Sequence, residues 1–270
     1  MKHVALQSEW AESWKLSHEF DRMEVQGELC HRGYLYAYEN RRAVTLDLLS
    51  DVLDPGATVL DVAAAQGNFS LTLAERGYRV TWNDLRTELV DYVRLKHETG
   101  EVNFAPGNAL ELRFEHLFDA VLITEVIEHV AHPDQFLRYV GALVRPGGYV
   151  IMTTPNGAYV RNKLPKFSEC GDPGQFEAAQ FRPDSDGHIF LLHPDEIPLL
   201  AAHAGLEIDR SALFTNPLTN GHVKTEPLLR ILPRHWVRAL EQLSQRLPAS
   251  VRAKLLVHMG VRLRRPLPTK

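Results

Sequence analysis

Short, wholly apolar runs alternate along this chain with stretches whose apolar residues recur every three or four positions. The runs fall at Thr58–Val62, Tyr78–Trp82, Val102–Ala105, Phe118–Thr124 and Tyr149–Thr153. They are apolar throughout rather than at every second residue, as expected of strands covered on both faces. Helical spacing occupies Asn68–Arg76, about Thr87 to His97, and Glu125–Val144. Gly77 stops the first of these helices, while Asp54-Pro55-Gly56 and Pro146-Gly147-Gly148 are turns. Strand and helix in alternation predict an α/β fold with a doubly wound, mostly parallel sheet. A helix at Pro194–His203 and a strand at Leu206–Leu213 continue it.

Three segments depart from the alternation. Residues 1–50 read as an N-terminal helical cap, in which Trp10 and Trp14 share a helix face. The core, 51–222, is interrupted at 155–187, where Pro155, Pro165, Pro173, Pro183 and several glycines leave no regular pattern. A structureless stretch of that length inside a compact domain is usually functional, and it is read as a lid loop. Residues 223–270 read as a helical tail with two apolar stripes. One is Trp236, Leu240, Leu243 and Leu247; the other is Val251, Leu255, Met259 and Leu263.

Composition narrows the setting. The 270 residues are 44% hydrophobic and 24% charged, enough for one full α/β core. Two cysteines, Cys30 and Cys170, make no disulfide framework, so a reducing, cytoplasmic setting is expected. No run approaches the roughly 18 apolar residues of a membrane span. The net charge of −4 hides a division: residues 224–270 carry eleven lysines and arginines against Glu226 and Glu241, which is +9, and leave −13 elsewhere. Such segregation speaks of partners, here peripheral contact with an anionic membrane. No nucleic-acid-binding module accompanies it.

Parallel sheets bind ligands at the carboxyl ends of their strands. The first strand ends at Asp61, and Val62-Ala63-Ala64-Ala65-Gln66-Gly67 turns into the helix that starts at Asn68. Small residues there admit a ligand close to the backbone and to free helix N–H groups. Alanine in place of glycine requires that the loop follow an ordinary path with negative φ. The second strand ends at Asp84, 23 residues after Asp61, where a carboxylate can accept from both hydroxyls of a ribose.

These residues resemble the class I S-adenosylmethionine (SAM)-dependent methyltransferases, whose fold is Rossmann-like. Asp61 to Gly67 stands at their acidic, glycine-rich first motif, with alanine at the first two glycine positions. Gly107-Asn108-Ala109 matches the segment beside adenine, and Leu143–Thr153 matches the approach to the fifth strand. The resemblance implies SAM as cofactor, held by Asp61, Ala63, Ala65, Gln66, Gly67, Asn68, Asp84, Leu85, Asn108, Ala109, Thr124 and Glu125.

After the fourth strand comes Glu125-Val126-Ile127-Glu128-His129-Val130. On a helix, Glu125, Glu128 and His129 share one face, at the strand end where a ligand is expected. The segment resembles the Glu-x-x-Glu-His motif of ubiquinone-biosynthesis O-methyltransferases and of small-RNA 2′-O-methyltransferases. In the latter, two glutamates and two histidines hold a metal. Asp186-Gly187-His188-Ile189-Phe190 resembles their later segment and puts His188 at the fourth ligand position. The resemblance therefore implies Glu125, Glu128, His129 and His188 as ligands of Mg²⁺, Mn²⁺ or Zn²⁺. Without a metal, His129 or His188 is the general base, with Glu125 beside them.

Thr154-Pro155-Asn156-Gly157 and the loop after it resemble methyltransferases of polysaccharides and glycolipids. The expected acceptor is therefore a hydroxyl on a small molecule or saccharide. Tyr34, Tyr36, Tyr38, Trp10 and Trp14 could line its pocket or simply pack. The competing reading is a catalytically silent partner protein on the same fold, which the alanines of the first motif keep open.

Overall fold

The structure is a computed structural model and describes residues 1–27, 32–180, 187–221 and 223–268. Cys30, Pro183 and Asp186 lie outside the described residues. A seven-stranded sheet runs through the protein in the order β3-β2-β1-β4-β5-β7-β6. The strands are β1 (Thr58–Val62), β2 (Arg79–Trp82), β3 (Glu101–Phe104), β4 (Phe118–Thr124), β5 (Val144–Pro155), β6 (Glu207–Phe214) and β7 (His258–Arg264). The first five are parallel, whereas β7 runs antiparallel to both β5 and β6.

The apolar runs fill both faces by alternation. Val59, Val80, Ala120 and Leu122 meet α2 (Arg32–Ser50) and α3 (Asn68–Glu75) on one side. Leu60, Val62, Val121 and Ile123 meet α5 (Pro133–Leu143) and α6 (Ile197–His203) on the other. The α4 helix (Leu89–Lys96) buries Leu89, Tyr92 and Val93 against Trp82 and Trp10. Strand order reverses between β1 and β4, so the helices diverge there and leave a crevice at the strands' carboxyl ends.

The expected helical tail is corrected. Helices α7 (Glu226–Ile231), α8 (Arg234–Ser244) and α9 (Ala249–Leu255) do form, but the chain then enters the sheet as β7. Met259 and Leu263, placed above on a helical stripe, are strand residues buried in the core. A strand flanked by neighbours on both edges and layers on both faces buries every position, so no two-residue alternation marked it. The N-terminal segment also differs. The first helix, α1, spans Glu12–Asp21 and passes into a π-helical turn at Arg22–Gln26. Trp10 precedes it, yet packs edge-on against Trp14 and Tyr92. None of the described helices is long and apolar enough to cross a membrane.

A buried polar network pins this segment to the sheet. The Lys96 ammonium, 2% exposed, lies 2.6 Å from Asp21 and donates to Gln66 O at 2.9 Å and Asn68 Oδ1 at 2.7 Å. Tyr92 donates to the same Asp21 carboxylate at 2.7 Å. Burial pulls the Lys96 pKa down, against the carboxylate that supports its charge. Removing one partner of a buried pair strands the other. Lys96→Met should therefore cost about 3–5 kcal/mol in urea unfolding. Lys96→Met with Asp21→Leu should cost less than the two single changes together, and strict additivity would refute the coupling.

Candidate active site

The loop after β1 determines the floor of the crevice. Ala64 N–H bonds to Asn83 O, Gly67 N–H to Ala64 O, and Ala65 N–H to the Asp84 carboxylate at 2.8 Å. These bonds wind the loop through left-handed backbone at Ala63 (φ 54°) and Ala65 (φ 49°). That overturns the expected ordinary path: the alanines take the conformation that glycine usually provides. Gly67 does need to be glycine, with φ 74° and the space of a Cβ only 2.8 Å from Val93.

The crevice is a cavity of about 610 Å³. Of the residues expected to hold the cofactor, Ala63, Ala65, Gln66, Asn68, Asp84, Leu85, Asn108, Ala109, Thr124 and Glu125 line it. Asp61 and Gly67 stand behind the wall. Asp61 accepts from Ser70 Oγ at 2.6 Å, and burial pushes its carboxyl up to about 7. The Asp84 carboxylate uses both oxygens. Oδ1 accepts from the backbone N–H of Arg86 at 2.9 Å and its Nε at 3.0 Å. Oδ2 accepts from Ala65 N–H at 2.8 Å and Arg86 Nη2 at 3.2 Å.

The opposite wall comes from the N-terminal elements. Phe20, Glu24, Tyr34, Tyr38 and Arg41 line it. Glu24 accepts from Gln66 at 3.0 Å and Asn68 at 3.1 Å, and its burial raises its pKa. Arg41 lies 3.4 Å from Glu24 and 3.5 Å from Glu125. Burial opposes the Arg41 charge, but Glu125 and Glu24 outweigh it and raise the guanidinium's pKa. Glu24 and Arg41 escaped the sequence reading. Arg41 carried a signal, since Tyr34, Tyr38 and Arg41 fall at i, i+4 and i+7 on one face. Glu24 carried none, because its helical turn is of the π type. Of the other candidate pocket aromatics, Tyr36 packs on Leu229 and Val237, and Trp10 and Trp14 pack around Tyr92.

Beyond β4 the expected helix does not form at once. Glu125 adopts φ 54°, a single 3₁₀ turn covers Ile127–His129, and α5 begins only at Pro133. The left-handed residue swings Glu125 away from its neighbours, toward Arg41 and to 3.9 Å from His258 Nε2. Glu125 therefore leaves the expected set of four ligands. Glu128, His129 and His188 stay together, with one ligand atom from each inside a 4.8 Å cluster. The two imidazoles meet edge-on, centroids 4.9 Å apart. Glu128 is fully buried. Its Oε2 accepts from Thr154 at 3.0 Å, while its Oε1 has no hydrogen-bond partner. Burial, reinforced by Glu125, pushes its carboxyl well above the usual range. Of the three, His129 lines the cavity.

Part of the expected lid packs beside this cluster. Phe167 and Phe176 pack edge-on against Phe190 at 5.4 and 5.3 Å, and Gln180 accepts from Ala131 N–H at 3.0 Å.

The sequence and the fold both have relatives. A methyltransferase domain model matches residues 34–211. A ubiquinone biosynthesis O-methyltransferase of Xanthomonas axonopodis pv. citri is 32% identical over 184 residues, 66% of this chain and 74% of that protein. The same enzyme of Xanthomonas oryzae pv. oryzae is 37% identical over 184 residues, with the same coverage of 66% and 74%. A SAM-dependent methyltransferase structure from Mesorhizobium loti shares the fold, with a TM-score of 0.55 at 16% identity over 83% of this chain and 96% of that one. So does the Burkholderia thailandensis 1,6-didemethyltoxoflavin-N1-methyltransferase, solved with its substrate and S-adenosylhomocysteine. Its TM-score is 0.51 at 17% identity over 97% and 94% of the two chains.

Two stability measurements probe the loop. Ala63→Gly and Ala65→Gly should each hold or raise stability by up to about 1 kcal/mol, because relief of left-handed strain exceeds the entropy glycine adds. The same change at exposed Ala142 on α5 should cost about 0.5–1 kcal/mol, and a matching cost at Ala63 would refute the strain. Asp61 binds its proton more tightly folded than unfolded. Stability should therefore fall as pH rises from the ordinary aspartate range to about 7. Asp61→Asn, which can still accept from Ser70, should flatten that slope in unfolding curves across the interval.

Proposed function

We propose that this chain, which belongs to the SAM-dependent methyltransferase family, transfers the methyl group to a hydroxyl oxygen of a small-molecule or saccharide acceptor with the help of a divalent cation. The cluster of Glu128, His129 and His188 beside the cofactor crevice carries this reading. The two Xanthomonas sequence relatives are O-methyltransferases, which supports the same chemistry for this chain.

The crevice suits the cofactor. Its volume falls within the roughly 300–1,000 Å³ usual for small-molecule sites. SAM supplies a methyl group already activated on a sulfonium, so the protein has mainly to align the reactants and remove a proton. Asp84 is the residue to hold the ribose, with Leu85 and Asn108 around the adenine. All four acceptor positions of Asp84 are filled, three by Arg86 and one by Ala65. The guanidinium is the partner that can leave without backbone movement, so it yields to the ribose. Arg41, charged and deep in the opposite wall, is the cation available to a carboxylate.

The donor set suits Mg²⁺, Mn²⁺ or Zn²⁺, and the unpartnered Oε1 of buried Glu128 is the atom that most needs one. A cation bound there would lower the pKa of an acceptor hydroxyl. His129 faces the cavity and is placed to take that proton where no cation is bound. Phe20, Tyr34 and Tyr38 offer aromatic faces to a ring-shaped acceptor. The expected lid, of which residues 158–180 and 187 are described, closes over that acceptor and excludes water.

The tests separate cofactor from cation. In calorimetry Asp84→Ala should weaken SAM binding by about 1.5–3 kcal/mol, as for a hydrogen bond to a charged group. Unchanged affinity would reject Asp84 as the ribose acceptor. Methyl transfer to a catechol should fall in EDTA, return with Mg²⁺, Mn²⁺ or Zn²⁺, and drop about 10²–10⁴-fold in His129→Ala. Full activity in chelator would leave His129 as a base acting alone.

A further inference from the structure

The connection from β6 to β7 presents a surface unlike the rest of the protein. Helix α8 is anchored through Val237, which packs with Leu229 of α7 onto Tyr36 of α2. On another face of α8, Trp236, Leu240 and Leu243 fall four and three residues apart and form a stripe. Trp236 is 57% and Leu243 58% exposed, and on α7 Ile231 is 79% exposed. Large apolar side chains massed on adjoining helices mark an interaction surface rather than ordinary scatter.

The charge around the stripe is predominantly basic, and the fold helps to make it so. This segment has only two acids, and both bind donors of the core, although Glu226 also pairs with Arg230 at 3.4 Å. Glu226 accepts the backbone N–H groups of Arg32 at 2.8 Å and Gly33 at 3.0 Å, at the start of α2. Glu241 accepts from Asn216 N–H at 3.0 Å and from the Thr219 hydroxyl. Arg238, Arg246 and Lys254 remain exposed.

We propose that α7 and α8 dock on an anionic lipid bilayer, with Trp236 and Leu243 of α8 and Ile231 of α7 at the acyl boundary and the basic side chains toward lipid phosphates. Charge complementarity selects this occupant. A second copy would bring arginine-rich faces together, and a neutral surface would leave the cations without partners. Attraction of this kind acts over about 10 Å at 0.1 M salt and is screened as salt rises. The docked segment begins beside the active-site wall, because Glu226 at the start of α7 lines a smaller cavity together with Tyr34, which also lines the crevice. An acceptor drawn from the membrane would have a short path to the crevice. The lipid contact itself does not depend on the acceptor or the cation, and it is measured without methyl transfer.

The full chain should co-sediment with phosphatidylglycerol–phosphatidylcholine vesicles at low salt, release at high salt, and ignore pure phosphatidylcholine. Trp82 and Trp10 are buried and Trp14 is half-buried on the N-terminal segment, so a blue shift of tryptophan emission on binding should come mainly from Trp236 and be largely lost in Trp236→Phe. Trp236→Ser with Leu243→Ser, and Arg238→Glu with Arg246→Glu, should each lower vesicle affinity roughly tenfold or more. Both pairs should leave the unfolding temperature and SAM binding unchanged. Protein that stays in the supernatant at low salt overturns the proposal. So do equal binding to neutral vesicles, unaltered binding by both variants, or a dimer in sedimentation velocity that the serine variant dissolves.

Discussion

A single buried ammonium ties the structure together. Lys96 lies at the end of α4 with almost no exposure, and an ion there costs several kcal/mol unless every donor is satisfied. Its partners are Gln66 O and Asn68 from the loop after β1, and Asp21 from the end of α1. The loop and the N-terminal cap are therefore fixed relative to each other by one group that belongs to neither. From Asp21 the chain continues into the π turn that carries Glu24, whose carboxylate takes the side chains of Gln66 and Asn68 from above. The loop is held from below by the ammonium and from the side by the carboxylate. The crevice is built before any ligand arrives.

That clamp accounts for the backbone of the loop. Left-handed alanine is unfavourable and persists only where the surroundings dictate it. Ala65 N–H is drawn to Asp84, Trp82 Nε1–H bonds to Ala65 O at 3.0 Å, and the next residues are pinned by Lys96 and Glu24. No lower-strain path satisfies all of these at once. Glu125 is the third left-handed residue around the cavity, tied by its N–H to Thr153 O of β5 and by its side chain to Arg41. Among the described non-glycine residues with positive φ, Ala63, Ala65 and Glu125 lie where strand ends meet the crevice, and Thr215 and Lys224 lie in the β6–β7 connection.

Sequence patterns exposed the sheet better than the site, for reasons that lie in particular residues. The strands from Thr58 to Thr153 were legible because each is an apolar run bounded by turns, and Asp84 because it ends one of them. The β7 strand was hidden by Leu255, Met259 and Leu263, whose spacing of four imitates a helix although only the last two lie in the sheet. The alanines of the first motif suggested an ordinary backbone, because residue type reports intrinsic preference and not the hydrogen bonds that override it. Glu125 was placed with Glu128 and His129 on the assumption of a helix. One left-handed residue broke that assumption and reduced the cluster to three. Arg41 shared a helix face with Tyr34 and Tyr38, whereas Glu24 could be seen only through the packing of the π turn on the loop after β1.

The β6–β7 connection obeys a different constraint from the crevice. Its ends are the edge strand β6 and the adjacent β7, so the sheet fixes where it begins and returns but not what it presents to solvent. Its helices are fastened, among other contacts, by Val237 and Leu229 on Tyr36, Glu226 on the start of α2, Glu241 on Asn216 and Thr219, Gln245 on Leu213 O, and Asn156 on the carbonyls of Ala253 and Leu256. Two of these fastenings are carboxylates. Glu241 is thus spent in holding the helices on, and Glu226 is shared between the start of α2 and Arg230, so attachment of the segment itself leaves its outer face largely cationic. An apolar stripe beside such a face cannot be buried at low cost against another copy of itself. The geometry that secures the connection also selects the charge of whatever covers it.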